Sequence, residues 1–233
     1  MAHSDDRGRL TEVVPGRIWT KRVPLSFFGL QMGTRMTVIR MRSGQLFLHS
    51  PVRLDAELQS EIERLGPVHI IVGPNRLHHL FLGDYVRAYP QAHLYGSRAL
   101  PKKRPDLPFH GILEDEPEPD WIDEIDQVTI RGSSYLDEVV FFDRDTGVLI
   151  VSDLLQWATA EDPWQYRAAA RLIGTYGRPA IPRDVRLLLR DRTAARATVQ
   201  RILQWPFDRI ILSHGPLIDH GGKQIFRAAS ASI

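Results

Sequence analysis

The chain has 233 residues, enough for one well-packed domain or two small ones. Its 43% hydrophobic and 25% charged content is that of an ordinary folded globule, and no apolar run reaches the length of a membrane span, so no membrane partner is expected. A net charge of +2 gives little pull toward a polyanion, and the lack of cysteine excludes disulfides, thiolate ligands and a thiol nucleophile.

The opening "MAHSDDRGRL" is polar with no apolar segment behind it, so it does not read as a signal sequence. Residues 1–12 are expected to be a flexible tail ahead of a single domain, 13–233, in a cytoplasmic protein. "GRIWT" reads as a strand, and "MTVIRMRSGQLFLHS" as two strands turned at Ser-Gly. In "LDAELQSEIERLG", Leu54, Leu58, Ile62 and Leu65 line one helical face and Gly66 stops it. "VHIIV" is a short, continuously apolar strand suited to a sheet covered on both sides. Asn75 follows as a capping residue, and Leu80, Phe81, Tyr85, Val86 and Tyr89 suit a helix ended by Pro90.

"AHLYG" suggests another strand, and 101–120, rich in proline, glycine and charge, a long surface connection. Beyond it, "DQVTI", "EVVFFDRDTGVLIVS" and "FDRIILS" are strand-like, the middle one a hairpin turned at "DRDTG". Helical patterns fill much of 161–204, broken at "YGRPAIPRD". Strands and helices mixed in this order imply a layered α/β protein. Eight acids lie in 114–126, and eight arginines against three aspartates in 178–209. Both stretches read as solvated surface, and nucleic acid is not an expected partner.

Ligand-type residues collect after the apolar strands. "HIIV" leads across a few residues to His78 and His79; "VLIVS" runs into Asp153; "RIILS" runs into His214. The carboxyl ends of strands are where sites assemble in α/β sheets. Imidazoles with a carboxylate suit one divalent ion, Zn²⁺ first, with Fe²⁺ or Mn²⁺ as alternatives. Such an ion lowers the pKa of a bound water toward neutral. On a helix His78 and His79 would point about 100° apart, so both need not face one ion. His49 ends its strand and could line the floor of a site, whereas His69, His93, His110 and His220 read as packing or surface residues. Trp157, Trp164 and Tyr166 read as helix packing. A serine nucleophile lacks a "GxSxG" elbow, and no "GxGxxG" or phosphate-loop lysine motif is present.

The order of motifs resembles the metallo-β-lactamase-like superfamily, and more closely the DUF4336 proteins. "RMTVIRMRSGQLFLHSPV", "LGPVHIIVGPNRLHHLFLGDY", "DEVVFFDRDTGVLIVSDLL" and "ILSHGPLI" carry the resemblance, over about 13–230. It implies a four-layer αβ/βα sandwich. Against the superfamily's "HxHxDH" segment, His79 matches the final histidine and His78 the aspartate, while Arg76 and Pro74 stand where the first two histidines belong. Asp153 matches the bridging aspartate and His214 the last histidine. The intermediate histidine has no counterpart in "SSYLDEVVFF".

That departure implies a mononuclear site: His79, Asp153 and His214 as ligands, with His78 as a fourth. Arg76 places positive charge where the other metal's ligands are missing, suited to steadying an oxyanion. Glu138 is a weaker candidate, as a replacement ligand or a base, and reads more readily as an acid behind the ligands or on the surface. The expected activity is metal-dependent hydrolysis of an ester, thioester, amide or phosphoester, with Asp153 and Arg76 as catalytic groups acting on an unknown small-molecule substrate. Two alternatives stand beside it: a non-catalytic binding protein on a degenerate scaffold, and a metal-dependent oxidoreductase. The sequence is silent on oligomeric state.

Overall fold

The computed structural model describes residues 8–27, 29–133 and 135–233. Its chain divides into two units: one runs to Val23 and resumes over Thr34–Leu113, the other takes Pro24–Gly33 and Glu114–Ile233.

The first unit is built on β1 (Thr11–Val14), β2 (Ile18–Phe27) and β3 (Leu30–Arg40) apart from their Pro24–Gly33 ends, β4 (Leu46–His49), β5 (Val68–Gly73), β6 (His93–Gly96) and β7 (Phe109–Ile112). These strands lie in sequence order in one sheet. The β3–β4 pair is antiparallel, as the Ser-Gly turn requires, whereas β4 to β7 run parallel. Parallel neighbours need crossovers, here α1 (Ala56–Leu65), α2 (Leu82–Ala88) and α3 (Leu100–Lys103). Asp55 caps α1 by accepting from Leu58 N at 2.8 Å, and Leu58 and Ile62 are fully buried with Met36, Leu48, Ile71 and Leu94. Phe47, Ile70 and Val72 alternate with these and are equally buried, as a strand covered on both faces demands.

Three expectations change here. Thr11 and Glu12, assigned to the tail, already lie in β1, while 1–7 fall outside the described residues. The segment 101–120 holds most of α3 and all of β7; flanking prolines mask a four-residue strand at the sheet edge, where such residues are tolerated. Leu80 is 51% exposed, because the helix begins only at Leu82, after a run of turns.

The second unit carries β8 (Ile125–Thr129), β9 (Val139–Asp143), β10 (Val148–Val151) and β11 (Arg209–Leu212), in the order β11-β10-β9-β8. Its helices are α4 (Trp164–Ile173), α5 (Arg183–Leu188), α6 (Arg192–Gln204) and α7 (Gly222–Ser230). Phe142, Leu149, Val151, Val199, Ile202, Leu212 and Phe226 form its core. The acidic and basic stretches meet at the surface, where Asp115 takes both Arg131 (3.0 Å) and Arg201 (3.2 Å). Half-exposed pairs of this kind add little stability. Among the described residues no helix is long and apolar enough to cross a membrane.

Candidate metal centre

β10 and β11 are parallel neighbours with Val151 paired to Leu212. Asp153 and His214 each stand two residues beyond that pair, so the strand register itself brings them level. Ser213 N donates to Val151 O at 3.1 Å and extends the ladder one step past the strands. The outcome is a buried pair, with His214 Nε2 at 3.1 Å from Asp153 Oδ1. On the other side of the ring, Nδ1 lies 2.7 Å from Gly33 O. A carbonyl only accepts, so Nδ1 carries a hydrogen and donates it. Nε2 is therefore the nitrogen turned to the carboxylate, the arrangement that orients a metal-ligating histidine. Burial lowers the imidazole pKa, but the hydrogen bond and charge of Asp153, the Gly33 carbonyl and the charge of Glu138 outweigh it, and the net shift is upward. His214 is followed by Gly215 at φ 144°, where a Cβ would come within 2.6 Å of Trp157 O; only glycine fits.

The Asp153 turn is held by Glu138, just ahead of β9. This fully buried side chain accepts from Ser152 N (2.8 Å) through one oxygen, and from Asp153 N (2.7 Å) and Leu154 N (2.9 Å) through the other. Desolvation first, and the charge of Asp153 second, push its carboxyl pKa upward; the three N–H groups pull the other way. Of the roles open to Glu138 in the sequence, support of the backbone that carries Asp153 is the one its contacts match.

In the first unit, Asn75 is fully buried and its Oδ1 accepts from Leu77 N (2.8 Å) and His78 N (3.1 Å). The expected capping therefore occurs, but of a turn lying ahead of α2. His78 Nδ1 shares a hydrogen bond with Ser50 Oγ. Ser50 follows β4 at φ 55°, left-handed for a non-glycine residue, and its N donates to Val72 O at 3.0 Å. A strained backbone of this kind persists only where its surroundings enforce it.

His79 has a different setting. Arg104 Nη1 donates to its carbonyl at 2.8 Å and lies 3.4 Å from its Nδ1, while the guanidinium also grips Asp106 with two hydrogen bonds of 2.8 and 2.7 Å. Desolvation, then Lys103, Arg104 and His78, lower the His79 pKa to about 4 against the opposing pull of Asp106. Arg76 is half-buried on the same turn, its carbonyl accepting from Lys103 Nζ at 2.8 Å. His49 is wholly buried, and desolvation followed by the charge of His78 lowers its pKa to about 3.

Sequence reasoning missed Ser50, the Gly33 carbonyl and Arg104. Only Ser50 left a signal, as a polar residue directly after an apolar strand. Among the described residues, two groups of histidine and carboxylate side chains could hold a metal ion, one including Asp153 and His214 and the other His69 and His93.

A family model described as "Domain of unknown function (DUF4336)" matches residues 15–179. The chain belongs to this family. The matched span takes in Arg76, His78, His79, Glu138 and Asp153 and ends before His214. No curated protein matches by sequence. Among solved structures, a metallo-beta-lactamase from Pontibacter korlensis aligns with a TM-score of 0.65 at 13% identity, over 96% of this chain and 97% of the other. The metallo-beta-lactamase FIM-1 from Pseudomonas aeruginosa in its mono-zinc form gives 0.64 at 13%, over 97% and 96%. The metal-soaked Flv1 flavodiiron core from Synechocystis sp. PCC6803 gives 0.64 at 14%, over 94% of this chain and 59% of that one. The fold of this DUF4336 chain is thus the four-layer αβ/βα sandwich of the metallo-β-lactamase type.

Proposed function

We propose that this DUF4336 protein is a metal-dependent hydrolase with one divalent ion, of the Zn²⁺ class, held by Asp153, His214 and an imidazole of the His78–His79 pair. The observation that carries the reading is the buried Asp153–His214 pair, with the far nitrogen of the ring committed to Gly33 O. A nitrogen and a carboxylate oxygen are the donors a borderline ion takes, and a backbone carbonyl behind the ring is the usual support of a ligating histidine. Of the two neighbours we assign His78 as ligand. In the tautomer whose Nδ1–H donates to Ser50 Oγ, the Nε2 of His78 is the nitrogen that would face an ion. His79 is the weaker candidate, because Lys103 and Arg104 surround it with positive charge.

An ion at such a centre supplies Lewis acidity and brings the pKa of water toward neutrality. The protein groups do the rest: Glu138 holds the Asp153 turn still, and Arg76 offers a fixed cation to negative charge developing on an ester, thioester, amide or phosphoester. That FIM-1, a metallo-beta-lactamase described in a mono-zinc form, shares the fold agrees with a single-ion hydrolase.

The rival reading, a binding protein without turnover, draws on one feature of the same pair. A protonated His214 against Asp153 is already satisfied with no ion present. Protein purified without chelator decides between them. Bound metal near one equivalent at this centre, lost in Asp153→Ala and His214→Ala, together with hydrolysis of a panel of esters and phosphoesters, supports the enzyme. Metal content unchanged by both substitutions defeats the ligand assignment, and metal without turnover leaves the binding protein.

A further inference from the structure

The first unit holds a second concentration of imidazoles, on residues that read in sequence as packing or surface. His69 is the second residue of β5, His93 the first of β6, and His110 the second of β7. These three strands are consecutive and parallel, so residues far apart in the chain fall side by side at the starts of neighbouring strands. The ring centroids of His69 and His93 are 5.1 Å apart, and those of His93 and His110 are 3.9 Å apart with the planes only 5° from parallel. Tyr95, almost fully buried, sets its ring edge-on to His110 at 5.4 Å and walls one side.

Imidazole nitrogens gathered in a partly buried setting favour a cation that coordinates nitrogen. His69 and His93 each offer a ring nitrogen as ligand atom, within 4.8 Å of one another. That separation closes onto a common ion with a small ring movement, Zn–N bonds being about 2.0–2.1 Å. His110 is exposed, so its ring can turn about χ2 to bring a third nitrogen alongside.

We infer that His69 and His93, with His110 on the exposed side, form a second binding site for a divalent transition-metal ion, of the Zn²⁺, Ni²⁺ or Cu²⁺ class. The site lies at the amino ends of β5 and β6, whereas Ser50 and the Asn75–His79 turn follow the carboxyl ends of β4 and β5. An ion here ties β5 to β6 and β7, a structural clamp separate from the proposed hydrolytic centre. It needs no part of that centre.

Equilibrium dialysis of the full chain against Zn²⁺ tests it, with His69→Gln/His93→Gln compared to Asp153→Ala/His214→Ala. The expected result is two ions on the parent and one on each double variant, with a raised melting temperature in Zn²⁺ that the His69→Gln/His93→Gln protein has lost. If the hydrolytic centre binds no metal, the parent carries one ion and only the His69→Gln/His93→Gln variant loses it. In the parent itself, ¹⁵N spectra of the histidine rings give a readout free of any folding defect: the His69 and His93 nitrogens should shift on metal addition. Unshifted His69 and His93 signals at saturating Zn²⁺, or a His69→Gln/His93→Gln variant that binds as many ions as the parent, overturn the site.

Discussion

The Asp153–His214 pair and the Asn75–His79 turn carry similar side chains on unlike supports. At Asp153 and His214 the positioning is done by backbone: two paired parallel strands in register, a three-fold clasp by Glu138, and a carbonyl behind the ring. At the turn it is done by side chains, with Asn75 folding it, Ser50 holding His78, and Arg104 drawing on His79. A site held by a ladder is rigid and fails as a whole when its buttress goes. A site held by individual side chains can be tuned one contact at a time. Substitutions of the supports, rather than of the proposed ligands, are therefore the sharpest way to separate the two.

Glu138→Ala should have the largest effect. It leaves three backbone N–H groups without their acceptor inside a buried turn, each costing about 1–3 kcal/mol, so a loss of roughly 3–9 kcal/mol is expected in urea unfolding. Glu138→Gln keeps one carbonyl oxygen and should lose about half as much. Equal stability of Glu138→Ala and the parent would mean that the clasp does not hold the Asp153 turn.

Acidification probes the strand that precedes Ser50. His49 has its folded pKa depressed from 6.5 to about 3, so between those values the unfolded chain takes up the proton and the folded chain does not. Stability should rise with pH through this window and fall as the pH drops from 6.5 toward 3, by up to about 5 kcal/mol at ~1.4 kcal/mol per unit. A pH series of unfolding curves for the parent and His49→Leu isolates the contribution, since the variant should lack this part of the acid loss. Parallel pH profiles for the two proteins would mean that the folded pKa of His49 is not depressed.

Removing Asp153 or His214 should weaken metal binding at the proposed centre by more than about 100-fold, beyond what loss of an outer support costs. Metal quantified after dialysis against a weak chelator checks this. The smallest effect is expected at Ser50. Ser50→Gly relieves the left-handed backbone while removing the partner of His78, so stability should hold or rise while metal affinity drops about tenfold. Unchanged affinity in Ser50→Gly would take His78 out of the ligand set and return the role to His79.

Much of this was legible beforehand because β-strands advertise themselves. "VHIIV", "GVLIVS" and "RIILS" are apolar runs that stop at polar residues, and β5, β10 and β11 occupy them. β7 was hidden, since a four-residue edge strand with one core side chain, Phe109, has no periodicity to read. The helix after Asn75 was expected too early, because Arg76, Leu77 and the two histidines are compatible with helix by propensity and only the Asn75 side chain turns them aside.

By itself the sequence determined the donor chemistry and the strand ends that carry it: imidazoles at 78, 79 and 214, a carboxylate at 153, and no thiol anywhere. It did so because apolar runs and their polar endings are local properties of the chain. Tertiary structure alone decided which nitrogen of His214 is spent on Gly33, 181 residues away, and that Glu138 buttresses Asp153. It also set Ser50 beside His78 rather than His79, and stacked His93 on His110. Hydrogen-bond partners and ring contacts are chosen by strand order and register, and those follow from how the whole sheet packs.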